Sequence, residues 1–320
     1  MSIDAAATAS PLVVFGASGF VGTHLRRVLD GWPAGVTLVS RQPIPTGGEQ
    51  VVAGDLMAPS ALVAALPSRP VVINLAYDPR GGHDANLALA DGLARVCDLL
   101  EAPRLVHVST AMVVGAVTDR PVTEETICRP KTPYQRTKLD VEHRLRERLG
   151  RRLVVLRPTA VFGAGGLNLR KLVTDLTTRP WLENYLRACL FGSRPMNLVP
   201  VETVAAAVRF AATDAAAAGG PTWLVADDDA VENNFMDVEG LLRRALRMPP
   251  LPLPVIPVPP ALLAAVLQVS GRLSFDPRTT FSSAAIESAG FSRPVAFAVA
   301  LREYGTTARV LTGAAPGAAE

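Results

Sequence analysis

Short runs of branched apolar residues alternate with helical patterns through the first half of the chain. The runs lie at 13–15, 36–39, 51–52, 71–75, 105–108 and 153–156. They are apolar at consecutive positions and too short for helices, as expected of strands buried on both faces. Between them, 60–66, 84–100 and 133–149 carry apolar residues at helical spacing. This alternation predicts an α/β fold, a doubly wound parallel sheet with helices on both faces. After about Phe162 the regularity loosens. The helical "VETVAAAVRFAATD" and the strand-like "TWLVAD" interrupt it, and a mixture of helices and proline-rich loops follows. The expected division is a first domain over 11–161, rejoined by 201–226, and a smaller C-terminal α/β lobe from 162–200 and 227–308. The ends, 1–10 and 312–320, read as frayed.

Composition narrows the classes. The chain has 320 residues, 49% hydrophobic and 19% charged, which suits a globular protein of one large or two modest domains. Net charge is only +3, with three lysines, and the arginines lack aromatic interleaving, so no nucleic-acid surface is expected. Cys97, Cys128 and Cys189 are far apart and odd in number, which suggests a reducing compartment and gives no metal-ligand spacing. The N-terminus lacks the basic and apolar regions of a signal peptide. The apolar 251–271 stretch carries five prolines in its first half, leaving a helix only after Pro260, too short to span a bilayer. A cytoplasmic protein is expected.

Two motifs carry chemistry. In "PLVVFGASGFVG", Gly16, Gly19 and Gly22 fall between a strand and a helix bearing His24, Leu25, Val28 and Leu29. A helix N-terminus offers unpaired N–H groups and partial positive charge, which a pyrophosphate requires. Gly16 permits the tight turn, Gly19 close approach and Gly22 helix–strand packing, with Ser18, Phe20 and Val21 alongside. In "TPYQRTKLDVEHRLRERLG", Thr132 caps a helix, Pro133 opens it and Gly150 ends it. Tyr134 and Lys138 then share one face. A phenol titrates near ~10, and a neighbouring ammonium is expected to lower it, so that Tyr134 exchanges a proton with an alcohol or ketone. Ser109 and Thr110 end the strand before this helix, where Thr110 can donate to the same substrate oxygen.

Together these residues resemble the extended short-chain dehydrogenase/reductases, the NAD-dependent epimerase/dehydratase group that acts on nucleotide sugars, over about 11–308. The resemblance implies a Rossmann-type cofactor domain and a substrate lobe. It makes Tyr134, Lys138, Thr110 and Ser109 catalytic, with Tyr134 and Lys138 also touching the cofactor. "GDL" supplies Asp55 and Leu56 to the adenine, and "NLAY" places Leu75, Ala76 and Tyr77 beside the cofactor. "LRPTAVFGAGG", with Pro158 and Val161, passes under the nicotinamide and opens the substrate lobe at glycines expected to let a ligand approach. Substrate contacts are expected from Asn86, Thr110, Asn168, Arg187 and Arg194. Arg170, Lys171 and Arg179 crowd the same lobe, and a nucleoside-diphosphate sugar would use such arginines. Val114 before Gly115 and Met196-Asn197 depart from the family's common residues near substrate.

The second strand ends in Ser40 and Arg41 with no acid, which favours NADP over NAD because a guanidinium fits a 2′-phosphate. A homodimer is implied through the helices ending near Leu100 and starting at Pro133, with Leu89, Leu93, Leu139 and Leu145 as candidate contacts. Epimerase, reductase and dehydratase stay open, as do a steroid-like or other secondary alcohol as substrate and a non-catalytic nucleotide-binding role.

Overall fold

The computed structural model describes residues 10–45, 47–117, 120–259, 261–262 and 276–312. The expected frayed ends and the helix after Pro260 fall almost wholly outside these residues. The chain forms β1 (Leu12–Phe15), α1 (Phe20–Val28), β2 (Val36–Ser40), β3 (Gln50–Ala53), α2 (Pro59–Val63), β4 (Val71–Asn74), α3 (Gly82–Leu99), β5 (Arg104–Val108), α4 (Pro133–Leu149) and β6 (Leu153–Pro158). It continues through β7 (Ala160–Phe162), α5 (Arg170–Thr178), α6 (Trp181–Phe191), β8 (Leu198–Pro200), α7 (Val201–Thr213), β9 (Thr222–Val225), α8 (Phe235–Ala245), α9 (Ala284–Ser288) and α10 (Phe297–Thr312).

The main sheet runs β3-β2-β1-β4-β5-β6-β9, and every neighbouring pair is parallel. The chain winds outward from β1 to β3, then returns to place β4 beside β1. Loops after β1 and β4 therefore leave in opposite directions and open a crevice at the carboxyl edge. Leu12 pairs with Val36 on one side and Val71 on the other, which fixes that register.

Both faces of the sheet are buried. Leu12, Val14, Ile73 and Val106 pack with Leu25 of α1 and Val204 and Val208 of α7. Val13, Val72, Leu105 and Val155 pack with Leu93 and Val96 of α3 and Leu145 of α4. Each fully buried side chain of this size contributes about 1.5–3 kcal/mol. A third core gathers Phe162, Leu172, Leu176, Leu198, Val238, Leu242, Phe297 and Leu301 around the separate two-stranded sheet β7–β8. Among the described residues no helix is long and apolar enough to cross a membrane.

Two departures from the sequence reading have a visible local cause. The helix expected over 60–66 stops at Val63, because Ala65 and Leu66 bond back three residues ahead of Pro67. β4 stops at Asn74, whose side-chain oxygen captures the Ala76 N–H at 3.1 Å and turns the chain.

Candidate active site

The glycine turn is built as three different solutions. Gly16 has φ +79°, and a Cβ there would lie 2.7 Å from the Ala76 nitrogen, so the turn after β1 is pressed against the turn after β4. A Cβ on Gly22 would lie 2.5 Å from the Gly16 carbonyl oxygen, which packs α1 onto the turn. Gly19, the N-cap of α1, is in extended conformation, and a Cβ there would meet only the Gly16 oxygen at 3.3 Å. The fold demands little of Gly19. Its open side faces a cleft of about 230 Å³.

That cleft is lined by Gly16, Gly19, Ser40, Arg41, Asp55, Leu56, Leu75, Ala76 and Tyr77, together with Asp78 and Leu89. Residues widely separated in sequence meet there because they end β1, β2, β3 and β4. No acid ends β2. Ser40 accepts from the Gln42 N–H at 3.3 Å, and Arg41 is exposed near Asp78. Ser18 is exposed, Val21 and Val161 are half-buried, and Pro158 is buried in β6.

α4 is fixed at both ends. Thr132 accepts from the Gln135 N–H at 3.2 Å while Gln135 Oε1 accepts from the Thr132 N–H at 3.1 Å, a reciprocal cap behind Pro133. Gly150 ends the helix. Tyr134 and Lys138 accordingly share a face, with Tyr134 46% exposed and Lys138 buried. Thr110 and Ser109 follow β5 and are buried. Thr110 Oγ1 accepts from the Met112 N–H at 3.2 Å, and its hydroxyl is near enough to the Tyr134 phenol to act against the rise in its pKa. Ser109 Oγ has no hydrogen-bond partner among the described residues.

The expected lowering of the phenol is not what the structure gives. Burial raises the Tyr134 pKa, Tyr77 adds to the rise, and the Thr110 hydroxyl opposes it. The Lys138 ammonium instead donates to the Val108 carbonyl at 3.1 Å and lies over the Tyr77 ring. Burial lowers Lys138 to about 8, with Glu142 opposing. Glu142 is itself held by Arg157 of β6 in a buried two-pronged pair, Nη2 to Oε2 at 2.6 Å. Such a pair anchors α4 to the sheet, and removing one partner costs about 3–5 kcal/mol.

Two polar residues of the site were missed. Asn74 donates from Nδ2 to His107 Nδ1 at 2.9 Å, so the His107 proton resides on Nε2. Burial and Lys138 hold His107 well below its ordinary pKa, and both residues line a small inner cavity with Tyr77, Asn86 and Lys138. A lone histidine inside the apolar run "LVHV" was the available signal.

Several expected substrate contacts are committed elsewhere. Asn86 gives its amide hydrogens to the Asp78 and Gly82 carbonyls and accepts from the Asp78 N–H, which shapes the turn after β4. Asn168 donates to the Val161 carbonyl at 2.8 Å. Arg187 pairs with the buried Asp175 at 2.8 Å, and Lys171 and Arg179 pair with the same carboxylate. Arg194 has no ion-pair partner among the described residues. Its guanidinium sits 5.7 Å from the Phe191 ring centroid, and burial lowers its pKa. Of the three glycines of "FGAGG", Gly165 is open, a Cβ there meeting only Phe20 Cδ2 at 3.9 Å, but Gly163 and Gly166 do not lie open to a ligand. A Cβ on Gly163 would lie 2.4 Å from Val201 Cγ1, and one on Gly166 would lie 2.7 Å from Phe20 Cζ. Phe20 therefore packs on this loop, and His24 Nε2 donates to Ala164 O at 2.9 Å alongside it.

The leucines proposed for a dimer face mostly inward. Leu93 and Leu145 are core residues, Leu139 is buried, and Leu89 packs partly against the same core. The outer surface of α3 and α4 is instead crossed by ion pairs, Asp91–Arg144 at 2.8 Å and Asp98–Arg148 at 3.8 Å. Among the described residues no group of three histidine, cysteine or carboxylate side chains could hold a metal ion.

Comparison with known proteins follows the same lines. The model of a family described as "NAD dependent epimerase/dehydratase family" matches residues 12–226. No curated protein matches the sequence. Among solved structures, dTDP-glucose 4,6-dehydratase from Bacillus anthracis str. Ames, in complex with NAD, is 15% identical with TM-score 0.69, covering 93% of this chain and 96% of that one. The Thermus thermophilus UDP-glucose 4-epimerase, also with NAD, is 21% identical with TM-score 0.67, covering 93% and 99%. UDP-N-acetylglucosamine 4-epimerase from Bacillus cereus is 18% identical with TM-score 0.67, covering 93% and 98%. At these identities the likeness is one of fold.

Proposed function

Since this chain belongs to the NAD-dependent epimerase/dehydratase family and is an enzyme, we propose that it interconverts or reduces a nucleotide-activated sugar. One observation supports this reading above the others: the cleft beneath Gly19 and the cavity beside Lys138 share Tyr77 and Ala76 as a wall, so a nucleotide site and an acid–base pair adjoin.

The residues fit a dinucleotide. Gly19 leaves the α1 N-terminus open to a pyrophosphate, and Asp55 and Leu56 flank the adenosine end of the cleft. A bound nicotinamide supplies the hydride acceptor and donor. Tyr134 moves the proton at a sugar hydroxyl oxygen, Thr110 opposes the rise of the phenol pKa, and Lys138, buried one turn along the same helix face, places a cation at the inner end of the site. NADP is the preferred cofactor in this reading, with NAD the alternative. Arg41 lines the cleft where NAD enzymes carry an acid.

For the substrate, Arg194 is the one of the two arginines expected to contact it that has no ion-pair partner among the described residues, and it is available to a diphosphate. Arg187, Asn86 and Asn168 serve the frame of the site. The lobe built around β7–β8 receives the substrate, and the first domain with β9 holds the cofactor. Free cysteines suit a cytoplasmic setting. A homodimer through α3 and α4 would rest on their exposed charged positions.

A second reading, an apolar secondary alcohol as substrate, is favoured by a largely apolar cleft of about 440 Å³ between α8 and the proline-rich segment, lined by Ala188, Met236, Met248, Leu251 and Val255. Mass spectrometry of the nucleotide and sugar that co-purify with the protein, followed by turnover assays on those compounds, separates the two. A nucleoside-diphosphate sugar supports the first reading, and turnover of apolar alcohols alone the second.

A further inference from the structure

Tyr77 stands between the two residues assigned to proton transfer. The Lys138 ammonium lies 5.2 Å from the centroid of its ring. The Tyr134 ring meets it edge to face, with centroids 5.6 Å apart and planes at 88°. Tyr77 also lines both the nucleotide cleft and the inner cavity. Its place in the sequence, three residues beyond Asn74 in a turn held by the Asn74 and Asn86 side chains, keeps the ring there.

Lys138 has little else to hold it. An ammonium carries three N–H donors, and among the described residues its hydrogen bond is to the Val108 carbonyl. Glu142, on the same helix, is spent on Arg157. His107, on β5, is neutral and has its ring acceptor occupied by Asn74. Asp78 follows Tyr77 but accepts from the Arg80 and Gly81 N–H groups. The remaining neighbour is an aromatic face, which attracts a desolvated cation more strongly than an exposed one.

Building on the assignment of Tyr134 and Lys138 as the proton-transfer pair, we propose that Tyr77 is a positioning residue, whose π face fixes the Lys138 ammonium at the inner end of the cleft while its ring sets the Tyr134 side chain. The π face carries this role and the hydroxyl does not, so phenylalanine at position 77 preserves it and an apolar residue without a ring does not.

The test needs no substrate. The chain has three lysines, so lysine labelled with ¹³C at Cε gives a sparse spectrum, assigned with Lys138→Met. In the parent, Lys138 titrates at about 8. Tyr77→Phe titrates with the parent. Tyr77→Leu and Tyr77→Met, which keep apolar volume without the π face, move the Lys138 midpoint down by about half a unit or more. Leu and Met variants that titrate with the parent, or a Phe variant that shifts as far as they do, would overturn the proposal. The two ringless variants guard against one failing to fold. Because the readout is a titration, it stands apart from any failure of Tyr134→Phe to lose turnover.

Discussion

Arg187 Nη1 lies 2.8 Å from Asp175 Oδ2, a charged pairing made inside the lobe. Lys171 and Arg179 reach the same carboxylate, so what reads in sequence as a basic cluster is a clasp joining α5 and α6. Arg187→Ala should lower the melting temperature while leaving affinity for nucleoside diphosphates near that of the parent. Arg194→Ala should weaken that affinity by about 1.5–3 kcal/mol, the scale of a hydrogen bond to a charged group. Calorimetry against UDP, GDP, dTDP and CDP with NADP present checks both, and selective loss of affinity in the Arg187 variant would reverse the roles.

The three glycines of the turn should separate by experiment. Gly16→Ala and Gly22→Ala place a Cβ 2.7 and 2.5 Å from backbone atoms, so both should be strongly destabilised. Gly19→Ala meets a single atom at 3.3 Å and should fold with a much smaller loss of stability than the other two. It should nevertheless bind the dinucleotide at least tenfold more weakly, about 1.4 kcal/mol, because the added methyl stands where the pyrophosphate approaches. Thermal unfolding and fluorescence titration of the three variants give the answer. Unchanged affinity in Gly19→Ala would place the pyrophosphate elsewhere.

Much of this was legible in sequence for local reasons. The strands of the main sheet are consecutive branched apolar residues, and α4 carries its whole cap in Thr132, Pro133, Gln135 and Gly150. The Tyr134/Lys138 face follows from that cap alone. Features set by distant partners were not legible. Lys171 and Arg179 stand four residues on either side of Asp175, a spacing the sequence does show, but the third cation on that carboxylate, Arg187, comes from the next helix. Gly163 and Gly166 of "FGAGG" make room for Val201 and Phe20, which lie far off in sequence. The leucines of α3 and α4 could be placed on a helix but not on its inner or outer face until the sheet was in view. The sheet β7–β8 has strands of three residues, below what a hydrophobic pattern resolves.

Asp227 predicts a pH dependence of stability. It is buried at the end of β9, and burial pushes its carboxyl up to about 7 against the opposing Arg293, with Asp229, Asp228 and Glu287 adding to the rise. A carboxyl raised in the folded state holds a proton that the unfolded chain has already lost above about pH 4. Its contribution is therefore most favourable below about pH 4 and is lost as pH climbs toward about 7. Asp228, raised to about 6, acts in the same direction. Asp227→Asn should flatten the decline in stability between these limits, read from denaturant midpoints across pH. A slope unchanged in the variant would remove Asp227 as its source.

Arg41 sets the expected cofactor preference. The parent should bind NADP more tightly than NAD, and Arg41→Ala should lose affinity for NADP while keeping that for NAD, because only the 2′-phosphate offers the guanidinium a charged partner. Equal affinities in the parent, by fluorescence titration, would remove the NADP preference, and tighter binding of NAD would assign the enzyme to NAD.

The most direct measurement compares parent and Tyr134→Phe on the nucleotide sugar identified by co-purification, with dinucleotide affinity and turnover read in the same preparations. The phenol is the group given the proton, and its ring packs on Tyr77 whether or not the hydroxyl is present. The expected result is dinucleotide affinity within about twofold of the parent and turnover lower by a factor of about 10² or more, the usual contribution of a positioned acid–base group. Turnover near the parent value in Tyr134→Phe would contradict the assignment of the site.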